Sequence, residues 1–420
     1  MRRAPRRLRA TRRLRATLGL VLAVLVALAG LAGAADAAAR GPAPAPDVPA
    51  EASIVVDAES GAVIAAEDPG ERRPIASTTK LMTALLTLER ADPADVFAAA
   101  GYDAAPIESQ IGLTEGERLT VRDLLVALLL ESANDAAVTL AAGVEGSVGG
   151  FVVEMNERAE KLGLDGTSYA NPIGFDDPAN YSTAGDLAEL ARRLMQEERF
   201  RDIVEQPRLP LRSGDVPRVV ENRNDLVGEA PLVDGVKTGH TLGAGHVLVG
   251  SAADEDHRVI SVVLGAPSEA ARDEATLDLL RYGLDQLVDR RAVSAGETLA
   301  RAAVADDAGE PIPLAAARPA TVTMIRGERV KTRVDAPEVL EGPLPAGERV
   351  GSVRVLLRGE VAGRVPLVTA DAVPAAGALR RVGDALEDHP WIVVAAAIVL
   401  AGGAAIIVVR ARRRRAGATA

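Results

Sequence analysis

The chain has 420 residues, a formal net charge of −11, 48% hydrophobic but only 2% aromatic residues, and no cysteine. This length exceeds the usual size of one domain, so two folded units plus extensions are expected, with cores built from Ala, Val and Leu. The missing cysteines exclude a disulfide framework, a thiolate nucleophile and a lipidated N-terminal cysteine, and the acidic balance argues against nucleic acid as a partner.

The first 16 residues carry eight arginines, and residues 18–31 form an apolar run followed by small residues at Ala35-Asp36-Ala37. This pattern predicts a secretory signal peptide over residues 1–37; the alternative, an uncleaved anchor, has a short run to work with. Residues 38–51 hold four prolines and read as a stiff linker. A folded unit is expected over residues 52–290. Short β-prone runs at 53–56 and 62–65 flank Glu59-Ser60-Gly61 and read as a hairpin. From Ser77 the pattern turns helical: Leu81, Leu85 and Leu88 recur until Asp92-Pro93, and a capping signal from Thr120 to Asp123 opens a second apolar helix through Leu130. Further helices are predicted at 151–162 and 184–196, and strands at 235–238, 246–251 and 259–264. Helices lying between strands at both ends indicate an α+β class.

Residues 291–371 read as a small β domain, with strands at 321–325, 350–357 and 361–368 separated by Pro and Gly, and residues 372–390 as a linker. Residues 391–409 are nineteen uncharged positions followed by Arg410 and the arginines at 412–415, which predicts one transmembrane helix and a basic cytoplasmic tail over 410–420. A buried core helix, the alternative, would need a polar face and a continuation of the fold. The body between these basic ends is expected to face away from the cytoplasm.

Of 48 basic side chains only four are lysine: Lys80, Lys161, Lys237 and Lys331. Arginine does not give up its proton in a protein, whereas burial or a neighbouring cation can bring lysine toward neutrality. Lys80 lies three residues after Ser77 at the start of a helix, so Ser77-Thr-Thr-Lys80 sets a hydroxyl beside a candidate amine base, near the positive helix end. Ser132-Ala133-Asn134 breaks the apolar helix and offers a hydroxyl and an amide in a turn; read alone it fits a helix N-cap. Lys237-Thr238-Gly239 lies in a strand-like run, where Gly239 would let a substrate backbone approach and Thr238 could hold a carboxylate. About 0.02 such triplets are expected by chance. The four histidines, at 240, 246, 257 and 389, are too scattered to suggest a zinc site, and no G-x-S-x-G elbow surrounds any serine. No metal or other cofactor is expected.

In this order the three elements form the set associated with penicillin-binding proteins and serine β-lactamases. The sequence resembles the D-alanyl-D-alanine carboxypeptidases, the low-molecular-mass penicillin-binding proteins, over residues 52–284. The likeness extends to Pro74-Ile-Ala-Ser-Thr-Thr-Lys80, Leu129-Leu-Glu-Ser-Ala-Asn-Asp-Ala-Ala137, Asn171-Pro-Ile-Gly174, Tyr181-Ser-Thr183 and Val233-Asp-Gly-Val-Lys-Thr-Gly-His-Thr241. Residues 345–368 are similar to the β domain that follows in that family, whereas 391–409 depart from the amphipathic surface helix of many relatives. The resemblance implies a penicillin-binding, β-lactamase-like transpeptidase fold, a helical cluster on an antiparallel sheet. It implies that Ser77 attacks the carbonyl between two D-alanines of a peptidoglycan stem peptide while Lys80 takes its proton. Backbone N–H groups of Ser77 and His240 would hold the oxyanion, and Ser132 would relay a proton to the leaving amine. Asn134 would orient the peptide, Lys237 supply a positive field, and Thr238, helped by Arg223, bind the terminal carboxylate. β-Lactam antibiotics are implied as covalent inhibitors.

A class A β-lactamase shares these elements but needs a glutamate in the loop after the serine-x-asparagine turn, and none lies between Glu160 and Glu189. Slow release of bound penicillin is therefore expected. A catalytically silent wall-binding scaffold is the other alternative, against which the intact Ser77, Lys80, Ser132, Asn134 and Lys237 speak.

Overall fold

The computed structural model describes residues 44–105, 107–305, 309–375 and Trp391. Its residues fall into two compact units, one up to Val288 together with Ile325–Gly327, the other formed by Asp289–Met324 and the chain from Glu328.

The first unit is built on a five-stranded antiparallel sheet of order β2-β1-β5-β4-β3. Its strands are β1 (Ala52–Asp57), β2 (Val63–Glu67), β3 (Val233–Thr241), β4 (Gly245–Ala253) and β5 (Arg258–Ala266). All six residues of β1 are buried, because both faces of the sheet are covered. The alternation of side chains sends Ile54, Val56, Val249 and Ile260 into one core and Val55, Leu248, Val259 and Val263 into another. The first core holds the helical cluster α1 (Lys80–Arg90), α2 (Val121–Val126), α3 (Asn134–Glu145), α4 (Val148–Leu162), α5 (Ala184–Leu194) and α6 (Glu198–Val204). The second is closed by Ala275, Leu279 and Leu280 of α7 (Glu269–Gln286).

The hydroxyl of Thr120 accepts from Asp123 N, so the predicted cap opens α2. The apolar run to Leu130 is not one regular helix: after Val126 it widens into a π-turn, Ala127–Glu131, that ends at Ser132 with φ 63. The helix expected at 151–162 begins at Val148 behind a Ser147 cap, and the one expected at 184–196 runs from a Thr183 cap to Leu194. Helix α7 escapes the sequence reading because its buried face mixes Ala275 and Leu279 with Arg272, Thr276 and Gly283, which blurs the apolar period.

The second unit contains a six-stranded sheet of order β9-β11-β12-β7-β6-β10, antiparallel except where β10 runs parallel to β6. Its strands are β6 (Thr298–Val304), β7 (Ile312–Ala316), β9 (Lys331–Asp335), β10 (Val339–Leu340), β11 (Arg349–Leu357) and β12 (Glu360–Thr369), with β8 (Ala320–Ile325) outside that sheet. Val353, Val355, Val365 and Leu367 alternate inward and form its core with Leu314. The strands expected near 321–325, 350–357 and 361–368 are present; β6, β7 and β9 were not anticipated. Among the described residues no single helix is long and apolar enough to cross a membrane. The segments read as a signal peptide, 1–37, and, Trp391 apart, as a membrane span, 391–409, lie outside the described residues.

Candidate active site

Ser77 sits on a 3₁₀ turn, Ala76–Thr79, that runs directly into α1 at Lys80. Backbone strain aims this turn: Ala76 has φ 45, a left-handed value uncommon for a residue with a side chain. Gly174 makes room for it, since a Cβ there would stand 2.0 Å from the Ala76 carbonyl oxygen. The Asn171 side-chain oxygen accepts from the amides of Ile173, Gly174 and Phe175 at 3.2, 2.7 and 3.1 Å, which folds this loop against the nucleophile turn. The Asn171-Pro-Ile-Gly174 segment, noted in the sequence without a role, thereby acquires one. It presents the Ile173 carbonyl to Lys80, whose Nζ donates to it at 2.6 Å and lies 3.0 Å from Ser77 Oγ.

Lys80 is fully buried. Burial, reinforced by the positive charge of Lys237, pushes its amine well below the ordinary lysine range, and Glu108 and Asp135 only partly oppose this. The neutral form retains hydrogens for the Ile173 carbonyl and offers a lone pair to the Ser77 proton.

Ser132 and Asn134 follow the π-turn. The Ser132 hydroxyl is buried and has no hydrogen-bond partner among the described residues. The N-cap reading of this triplet fails: the cap of α3 is Ala133, with no side-chain hydrogen bond. Asn134 instead receives its position from the preceding loop, its amide donating to Ser109 O at 2.8 Å and its Nδ2 to Glu108 Oε2 at 2.9 Å.

Strand β3 completes the arrangement. Lys237 is buried and donates to Thr238 O at 2.9 Å. Burial, then Arg272 and Arg223, push its ammonium down to about 7, with Glu131 opposing. Gly239 faces the nucleophile turn: a Cβ there would lie 2.8 Å from Ser77 N and 3.0 Å from Ala76 Cβ. Close packing against the backbone of the nucleophile turn is thus one reason for a glycine here. Thr238 is buried beside it, and His240 is exposed at the cleft with its ring stacked on His246 at 4.2 Å.

A cleft of about 320 Å³ opens over these groups, lined by Ser77, Glu108, Asn134, Ile173, His240 and Leu242 among others. Ser132, Lys237, Thr238 and Arg223 are not among the residues that line it. The Arg223 guanidinium pairs with Glu131 and lines a separate polar cleft of about 570 Å³ with Arg208, Glu221 and Asp225. Two groups escaped the sequence reading: Glu108, and Tyr102, whose hydroxyl donates to it. Burial and the Glu108 contact push the Tyr102 phenol up, so it remains a donor. The only signal for Glu108 was a glutamate in a loop upstream of Asn134, a place no spacing rule inspects. Among the described residues no group of three or more metal-ligating side chains is assembled.

Comparison with known proteins agrees with this geometry. Residues 39–268 match the family model described as D-alanyl-D-alanine carboxypeptidase, and residues 289–375 match that of the penicillin-binding protein 5 C-terminal domain. The chain is 32% identical to D-alanyl-D-alanine carboxypeptidase DacD of Salmonella typhimurium, over 83% of this chain and 92% of the relative. It is 30% identical to D-alanyl-D-alanine carboxypeptidase DacF of Bacillus subtilis, over 80% and 90% respectively. Penicillin binding protein 5 from Haemophilus influenzae superposes with a TM-score of 0.59 at 29% identity, covering 79% of this chain and 99% of that one. With one family model spanning more than half of its length and relatives aligned over nearly all of theirs, the chain belongs to the D-alanyl-D-alanine carboxypeptidases.

Proposed function

We propose that this chain, a serine-type D-alanyl-D-alanine carboxypeptidase, removes the terminal D-alanine of peptidoglycan stem peptides with Ser77 as nucleophile and Lys80 as its base. The observation that carries this reading is the 3.0 Å contact between Lys80 Nζ and Ser77 Oγ, made by an amine that burial and a second lysine hold toward neutrality. Neutral Lys80 takes the hydroxyl proton as Ser77 Oγ bonds to the carbonyl carbon between the two D-alanines. Backbone N–H groups of Ser77 and His240 hold the oxyanion. The C–N bond breaks, Ser132 passes a proton to the leaving amine, and D-alanine departs. Water then attacks the ester, and Ser77 regains its proton as the shortened peptide leaves.

Thr238 binds the terminal carboxylate in the field of Lys237, and Asn134 orients the peptide on the acyl side. Arg223 acts on this end through the positive field it exerts on Lys237, a field that its partner Glu131 partly offsets. A β-lactam meets the same attack at its ring amide, but the cleaved amine stays tethered to the acyl group, so the enzyme is held as a covalent adduct.

In the full chain, residues 1–37 direct export, 52–290 carry the catalytic unit and 291–371 the β domain. Residues 391–409 anchor the protein in the cell membrane with the catalytic unit outside; removing them is expected to release the protein from the membrane fraction. Labelling with fluorescent penicillin tests the catalytic assignment: wild type gives a covalent band and Ser77→Ala gives none. A band that persists in Ser77→Ala, or wild type that neither labels nor releases D-alanine, overturns it.

A further inference from the structure

The second unit is neutral as a whole, since residues 289–375 carry twelve basic and twelve acidic side chains. Its charges are nevertheless segregated. In the ladder of β9, β11 and β12, Arg333 stands directly opposite Arg354, and Arg354 directly opposite Arg364. Residues so paired share one face of a sheet with their Cβ atoms about 5 Å apart, and like charges in that position destabilise it. The register adds Lys331, opposite Leu356, and Arg349, opposite Val368, to the same face. This face is turned away from the core, into which Val353, Val355 and Val365 point. Of the two acids on these strands, Asp335 joins the basic face opposite Ser352, whereas Glu360 stands opposite the buried Leu357. None of the five cations makes a salt bridge among the described residues.

A row of arginines that repel one another within the fold is matched by negative charge outside it. The shape and chemistry of the face narrow the source of that charge. The three arginines stand on adjacent strands about 4.8 Å apart, an open presentation and not a groove. The same face carries aliphatic carbon: Leu356 is half-buried, and Val361 opposite it is 53% exposed. Arginine mixed with exposed aliphatic groups on an open face suits the headgroup layer of an anionic bilayer, where guanidinia pair with phosphates and apolar side chains reach the acyl boundary. The chain makes such an encounter local. Residues 376–390 join this unit to 391–409 and span at most about 50 Å when fully extended.

We infer that the outer face of β9, β11 and β12 docks on a membrane surface carrying anionic phospholipid, through the row Arg333, Arg354 and Arg364. The inference rests on the reading of residues 391–409 as the membrane anchor, which brings this unit within reach of a bilayer.

The chain has no cysteine, so Ser352→Cys attaches a single dye to this face. The full chain carrying the dye is reconstituted into vesicles of phosphatidylcholine alone or of phosphatidylcholine with phosphatidylglycerol, and quenching of the dye by spin-labelled lipid is measured. Quenching is expected to be about fivefold stronger with phosphatidylglycerol and to weaken as salt rises. Replacing the row by Arg333→Gln, Arg354→Gln and Arg364→Gln together abolishes the difference between the vesicles. Equal quenching in both vesicles, or a difference that the triple variant keeps, overturns the inference. So does a dye that responds to soluble polyglycerol phosphate and not to phosphatidylglycerol vesicles, because the row then serves a phosphodiester polymer. Should the triple variant fail to fold, the unsubstituted row decides, and quenching indifferent to lipid charge or to salt overturns the inference. A chain that does not float with phosphatidylcholine vesicles brings down the anchor reading. The row is then judged by flotation with phosphatidylglycerol vesicles, where no binding overturns it as well, so the two failures are distinct.

Discussion

Among the described residues the second unit buries one polar side chain, Thr369, in a core of aliphatic groups, whereas the first buries Lys80, Lys237, Asp123, Asp135, Asn134 and Arg272. Taking charge out of water is costly unless partners compensate it, so the first unit holds groups that packing alone would not select. A further contrast lies within it. The buried acids are satisfied: Asp123 accepts from the amides of Arg212 and Ser213, each at 2.7 Å, and Asp135 from the amides of Ile111 and Leu113. The two buried lysines have no carboxylate within salt-bridge distance among the described residues. Buried acids with a full set of donors stabilise loops, while buried amines left beside one another are held ready to lose a proton. Among its described residues the second unit buries no charged side chain, and its core is formed by the inward alternation of aliphatic groups.

Three measurements break or sharpen this contrast. The largest effect is expected from Gly239→Ala, whose Cβ would press on Ser77 N and displace the nucleophile. Acylation by penicillin should fall about a hundredfold with folding retained, the scale of a 1 Å misplacement at a reacting group. An unchanged acylation rate would show that the strand does not set the position of Ser77. Next, Val353→Ala in the core of the β unit should cost about 2 kcal/mol of that unit's stability and leave kcat/KM for D-alanine release unchanged. A fall in kcat/KM would make this unit part of the catalytic apparatus.

The smallest effect concerns pH. The folded protein releases the Lys237 proton near 7, whereas an ordinary lysine keeps it to about 10.5, and Lys80 is shifted in the same direction. Between these values the unfolded chain binds more protons, so stability rises with pH. Denaturant midpoints of the first unit should increase from pH 7 to pH 9 by an amount on the order of 1 kcal/mol. A decrease over that window would mean that both amines stay charged in the folded protein.

Legibility from sequence followed the range of each interaction. Ser77 and Lys80 were readable as a pair because three residues at a helix start bring two side chains to one face, and their contact is local. The Thr120 cap and the alternating strands were readable for the same reason. Glu108 was not, since it meets Asn134 across 26 residues of irregular chain. Gly239 was recognised as a place of close approach, but its packing against the Ser77 turn was not, because a glycine announces a close approach and not what approaches. Arg223 was expected beside Thr238, but Glu131 competes for its guanidinium from the π-turn, which sequence cannot foresee.

The amino-acid order by itself determined which groups are available: a hydroxyl and an amine one helical turn apart, a serine-x-asparagine turn, and a strand carrying a lysine two residues before a glycine. These follow from spacing along the backbone, which bond geometry controls. Only the tertiary structure decided the state and orientation of those groups. The neutrality of an amine depends on the water it loses and the charges brought near it, and both are set by segments distant in the chain, the Asn171–Gly174 loop, strand β3 and the loop bearing Glu108.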